Sequence, residues 1–117
     1  MSSDNRSCYT TQIRDPIIST YRNYTVIGAA PPLSGGVCFA QILNMLELYN
    51  VPEMGWGAEF LHLLAETFKF AFGNRLALGD PDYVNLTTII PTMLSKQYAQ
   101  KLAERLSMVR LFQNITI

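Results

Sequence analysis

The sequence predicts an α/β (α+β) segment that is mostly helical and incomplete on its own. Three observations carry this expectation. Residues 21–30, "YRNYTVIGAA", are rich in β-branched and aromatic residues, the pattern of a strand. Residues 34–49 and 58–74 are helix-length runs that are apolar round most of their circumference. Of the 117 residues, 49% are hydrophobic and only 15% charged, so there is material for one core and one small domain.

The elements follow in order. Residues 1–20 read as loop, with a short strand expected in "TTQIRDPII", where Pro16 restricts Asp15 to extended geometry. The strand at 21–30 stops at Pro31-Pro32. A helix is expected from Ser34 to Tyr49, with Ser34 as N-cap, its hydroxyl accepting from a backbone N–H of the first turn. Gly35 and Gly36 let another backbone come close. Gln41, Asn44 and Glu47 form one narrow polar stripe on an otherwise apolar helix, so the helix is expected to be mostly buried. "NVPEMGWG" (50–57) reads as a turn-rich connection. The second helix, Ala58 to Asn74, has Glu59, His62, Glu66, Lys69 and Gly73 as its polar stripe. "LGDPDYVN" (78–85) reads as a turn, with Asp80-Pro81 favouring its initiation. A third helix, Ser95 to Leu106, is amphipathic, turning Tyr98, Leu102 and Leu106 inward. The tail "MVRLFQNITI" reads as a strand or a ragged end.

Composition narrows the function classes. Formal net charge is zero and the nine acidic and nine basic residues are scattered, so no nucleic-acid surface is encoded. No run reaches the roughly 18 apolar residues of a membrane span. The polar start "MSSDNRSCYTTQ" does not read as a signal peptide. Cys8 and Cys38 are too few and too far apart for a disulfide framework or a zinc site, and each reads as a buried or idle thiol. Against the missing leader stands a count of Asn-x-Ser/Thr sequons, at Asn5, Asn23, Asn85 and Asn114. Seven asparagines and 16 serines plus threonines give about one match by chance. The excess makes these four candidate N-glycosylation sites. The two signals agree if the chain is an internal piece of a longer protein of the secretory route.

Several motifs invite a catalytic reading and do not sustain it. Leu33-Ser34-Gly35-Gly36 matches the heart of the ABC-type ATPase signature, but no Walker A loop accompanies it. A nucleophile elbow needs Gly-x-Ser-x-Gly, and here Pro32 stands two before Ser34. Glu59-Phe60-Leu61-His62, with Glu66 a turn on, is half of a di-iron motif, yet the chain has one histidine. Asp80 and Asp82 lack an EF-hand pattern. Spacing alone yields no catalytic or substrate-binding residue, no metal site and no cofactor.

Five strings, in order, resemble the γ-glutamyltransferase (glutathione hydrolase) family: Tyr9 to Ile17 with its "RDPI", "YRNYTVIGAAPPLSGGV", "QILNMLELYN", "GWGAEFLHLLAETFKFAFGNRLALGDPDYV" and "LSKQYAQKLAERL". They follow the C-terminal part of that family's large subunit over residues 9–107, and residues 108–117 depart from it. The resemblance implies one partial domain, 1–117, of an N-terminal-nucleophile hydrolase with an αββα sandwich. It implies a precursor that cleaves itself before a threonine, whose hydroxyl then attacks the γ-glutamyl amide of glutathione. Water or an amino-acid or dipeptide acceptor takes the acyl group, and the partner is the small subunit of the same precursor. Complete relatives are expected outside the cell, membrane-anchored or vacuolar through an upstream segment. The threonine is expected beyond residue 117, and Thr10-Thr11 stands at the wrong end to replace it. No active-site residue is carried over, so the chain alone is expected to be inactive. The competing expectation is a non-catalytic helical interaction module that pairs with a full-length relative.

Overall fold

The computed structural model describes residues 8–115, with side chains through residue 107. About half the chain is helical, and the strands form one two-stranded sheet. Strand β1 (Ile17–Tyr21) and strand β2 (Tyr24–Gly28) pair antiparallel, from Ile17 opposite Gly28 to Tyr21 opposite Tyr24. Arg22 and Asn23 make the connection with φ of 43° and 70°. Two positive φ values give a turn whose twist matches that of the strands. The single strand expected at 21–30 is therefore the second half of a hairpin, and the strand expected within 10–18 begins only at Ile17. Asn tolerates the left-handed region, but Arg is not a signal for it, so the turn was not legible. Ile17 and Tyr21 pack on the core, while Ile18 and Ile27, paired across the hairpin, stay exposed.

Helix α1 (Gly35–Leu46) is the central element, touching both strands and three of the helices. It stops before Tyr49 because the next amides bond three residues back, Leu48 N–H to the Met45 carbonyl and Tyr49 N–H to that of Leu46. This tightened turn leads into α2 (Val51–Met54), a single turn carrying Pro52 where the reading expected only a connection. Gly55, at φ 64°, ends it. Helix α3 (Ala58–Arg75) packs on α1. Helix α4 (Ile89–Leu94), short and not anticipated, and α5 (Lys96–Ile115) close the other side of α1. The α5 backbone runs on through most of the tail expected to be strand or ragged, because residues 107–115 hold no Gly or Pro to stop it. Val37, Met45, Leu63, Met93, Leu102 and Leu106 form the buried core.

The polar stripe of α1 does not face water. Gln41 and Asn44 are buried, while Phe39 on the opposite side is 53% exposed. In α3, Glu66 and Thr67 are buried and Leu61, Phe68 and Phe72 are exposed. In both helices some polar residues lie against the core and large apolar ones face outward.

Candidate functional site

The strand–turn–helix junction holds the first group of candidates. Ser34 stands immediately before α1 in helical geometry (φ −83°, ψ −15°), and its side chain makes no capping bond. Its hydroxyl instead accepts from Arg75 Nε at 2.7 Å, which ties the start of α1 to the end of α3. The helical ψ accounts for the lost cap, since a capping hydroxyl needs an extended Ncap residue. Close approach is made at Gly36 and not at Gly35. A Cβ on Gly36 would collide with the Ala29 carbonyl oxygen, and one on Gly28 would lie 2.7 Å from Gly36 Cα. At Gly35 a Cβ would meet open space. Among the described residues Ser34 therefore has a cation beside it and no base. His62 is exposed on α3 and is not brought to it.

A second cluster joins residues far apart in sequence. Arg14 donates from Nη1 to the Pro31 carbonyl at 3.3 Å and from Nη2 to Asp82 Oδ2 at 3.4 Å. Asp80 Oδ1 lies 3.9 Å from the same nitrogen and accepts from the Asp82 backbone N–H at 3.0 Å. The "RDPI" and "GDPD" strings thus meet at Pro31, beside an open cleft of about 670 Å³. The pairs are partly exposed, so each is worth at most about 1 kcal/mol. Their geometry orders the loops and prepares no reactive group.

The remaining candidates stay apart. Glu66 is paired with Lys69 at 2.5 Å, while Glu59 and His62 face outward. Among the described residues no group of three His, Cys, Asp or Glu is placed to hold a metal ion. Cys8 is exposed and Cys38 buried, and both are free. Burial pushes the Cys38 thiol up, partly offset by Arg75. No helix among the described residues is long and apolar enough to cross a membrane.

Of the sequons, Asn23 is exposed in the hairpin turn. Asn85 is exposed before α4, and its Oδ1 accepts from both the backbone N–H and the hydroxyl of Thr87, at 3.1 and 2.6 Å. Asn114 lies in the backbone of α5. Asn5 and the last two residues lie outside the described residues.

Sequence reasoning missed the arginines. Arg14, Arg22 and Arg75 each reach a carbonyl or hydroxyl in another part of the chain, Arg22 Nη2 lying 2.5 Å from the Tyr49 carbonyl oxygen. The only signal was their presence inside the quoted strings. Between α1 and α3 lies an apolar groove of about 400 Å³, lined by Phe39, Ile42, Leu43, Phe68 and Phe72, with Cys38 alongside.

The hairpin, the glycine-packed junction and a helix layer with outward apolar faces bring no nucleophile and base together among the described residues. The family model for gamma-glutamyltranspeptidase matches residues 1–115, and the chain belongs to that family. It is 41% identical over 97 residues to the acylase ACY 1 proenzyme of Pseudomonas sp. (strain V22), covering 81% of this chain and 17% of that protein. It is 34% identical over 108 residues to the glutathione hydrolase proenzyme of Escherichia coli (strain K12), covering 91% and 18%. The crystal structure of Helicobacter pylori gamma-glutamyltranspeptidase superimposes with a TM-score of 0.81 at 31% identity, over 87% of this chain and 29% of that one. The chain spans about one sixth of the length of these curated relatives. The solved relatives are N-terminal-nucleophile hydrolases, so the expected fold class holds. Members of the family are enzymes, gamma-glutamyltranspeptidases and glutathione hydrolases.

Proposed function

We propose that this chain serves as a large-subunit scaffold segment of an enzyme that cleaves the γ-glutamyl amide of glutathione and passes the acyl group to water or to an amino-acid or dipeptide acceptor. The observation that carries it is the family match running through residues 1–115. The nucleophilic threonine and the groups that hold the glutamyl moiety belong to other parts of such an enzyme, the threonine to the small subunit of the same precursor. The chain's own contribution is positional. Arg14, Arg75 and Gly36 lock the loops, hairpin and helices into one block. On this reading residues 1–117 are one partial domain and have no turnover by themselves. The sequon excess supports a protein of the secretory route.

The test is a chimera. Residues 9–107 replace the matching segment of the Escherichia coli relative, and self-cleavage and γ-glutamyl anilide hydrolysis are measured. Cleavage and turnover well above buffer are expected from the chimera, and none from the isolated chain. A chimera that folds but stays uncleaved sinks the scaffold reading. Turnover by the isolated chain sinks the assignment of chemistry elsewhere.

The second reading is a helical module that pairs with a full-length relative, favoured by the outward Phe39, Phe68 and Phe72. Size-exclusion chromatography with and without that relative separates the two. A stable complex with the intact two-subunit enzyme supports pairing.

A further inference from the structure

We propose that Asn23 is an N-glycosylated residue, and that the hairpin tip therefore faces solvent in the assembled protein. The proposal rests on the secretory-route reading above and adds to it a particular site and face.

Composition alone leaves all four sequons equal. The structure separates the two whose side chains it describes, Asn23 and Asn85. Asn23 is exposed in a two-residue turn, and its side chain makes no hydrogen bond among the described residues. The turn is held by its other residue. Arg22 donates to the Tyr21 hydroxyl at 3.0 Å and to the Tyr49 carbonyl at 2.5 Å, so the tip is anchored without using Asn23. Tyr24 is 73% exposed and Thr25 is exposed, so all three residues of this sequon lie open together. Asn85 is exposed as well, but differs in its bonding and in its neighbours. Its carboxamide oxygen is engaged twice by Thr87, and Leu86 between them is buried. That sequon has a sufficient role as a local turn.

The step is a group transfer. The donor is an oligosaccharide linked through a diphosphate to a polyprenol, supplied by the secretory compartment. A bond forms between Asn23 Nδ2 and the anomeric carbon of the sugar. The bond from that carbon to the diphosphate oxygen breaks, and the polyprenyl diphosphate leaves. The amide loses one proton to solvent. A bulky, hydrated glycan at the tip also keeps the strand edges of this hairpin from pairing with another chain.

The test is peptide mapping after enzymatic deglycosylation in heavy-oxygen water, which marks every asparagine that carried a glycan. It is done on protein from its native cells. It is repeated on the full chain sent through the endoplasmic reticulum of a eukaryotic host behind a cleavable leader. The expected result is a mark at Asn23 in both. In the host, Thr25→Val removes the mark and one gel-mobility step, while Thr25→Ser keeps them. Valine preserves the β-branching of the strand, so its loss of the mark reports the sequon and not the fold. A bare Asn23 beside a marked Asn85 or Asn5 overturns the site and leaves the secretory reading standing. Native protein bare at every sequon overturns both.

Discussion

Gly35 and Gly36 are neighbours with opposite requirements. Gly36 has the Ala29 carbonyl where a methyl group would go, and the obstacle is backbone that cannot swing away. Gly36→Ala should therefore destabilise by about 1–3 kcal/mol, while Gly35→Ala, facing open space, stays within about 0.5 kcal/mol of the parent. Urea transitions of the chimera carrying residues 9–107, followed by helical circular dichroism, check both, and equal midpoints would remove the packing argument. Glu47 gives a second test. The hydrogen bond from Lys96, which lies 2.5 Å from it, holds its carboxyl below the ordinary 4.5. A carboxyl lowered in the folded state adds stability that is present above its unfolded pKa and is lost as pH falls through the folded one. The chimera's urea midpoint should thus drop on acidification below about 4.5, and Glu47→Gln should flatten that limb. An unchanged acid limb in the variant would assign it to other carboxyls. Cys38 completes the set. Its thiol is buried and shifted up, so alkylation should strike the exposed Cys8 at least roughly tenfold faster. Labelling both at one rate would mean that α1 and α3 open freely.

At the scale of elements, α1 shows what sequence can and cannot say. Its apolar positions announced a buried helix, and its centre is the core of the fold. The pattern did not say which side would be covered first. Gln41 and Asn44 lie inside, and both polar atoms of the Gln41 amide lack a partner among the described residues, as does Asn44 Oδ1. Asn44 Nδ2 donates to the Leu94 carbonyl at 2.9 Å, so Asn44 joins α1 to α4. Gln41 makes no such bond, and an unpaired buried amide costs about 1–3 kcal/mol. Gln41→Met keeps the length and removes the unpaired atoms, so it should be neutral or stabilising by about that amount. A loss of stability would mean that the amide meets a partner, such as a buried water. The hairpin was half legible. "YTVIG" reads as a strand, but Arg22-Asn23 is not the Asn-Gly pair that signals a two-residue turn. Helices α2 and α4 are only four and six residues long, too short for a helical period to show, and each carries a proline, Pro52 or Pro91, in its first turn. The candidate site was legible only by exclusion. A missing Walker loop and a single histidine are visible in sequence, whereas the ties made by Arg14 and Arg75 need three dimensions.

At the scale of the molecule, the surface is too large for the mass. A compact monomer of 13.2 kDa exposes roughly 6,400 Å². This chain exposes 8425 Å², with a radius of gyration of 17.8 Å against roughly 13 Å for a compact domain of its length. The surplus includes apolar surface on α1 and α3, where Phe39 is 53% and Phe72 55% exposed beside an open groove. Such a face is stable when something covers it. The isolated chain should accordingly be poorly soluble or partly molten, bind a hydrophobic dye, and melt without a sharp transition. Phe39→Lys with Phe72→Glu should change two systems in opposite directions. In the isolated chain the pair removes exposed apolar surface without touching the core, so soluble yield rises and dye binding falls. In the chimera the same pair places charges against whatever covers the groove, so self-cleavage and turnover fall by tenfold or more. A chimera indifferent to the two charges would mean that the groove stays open in the complete enzyme, and the incompleteness of the chain would then have to lie on another face.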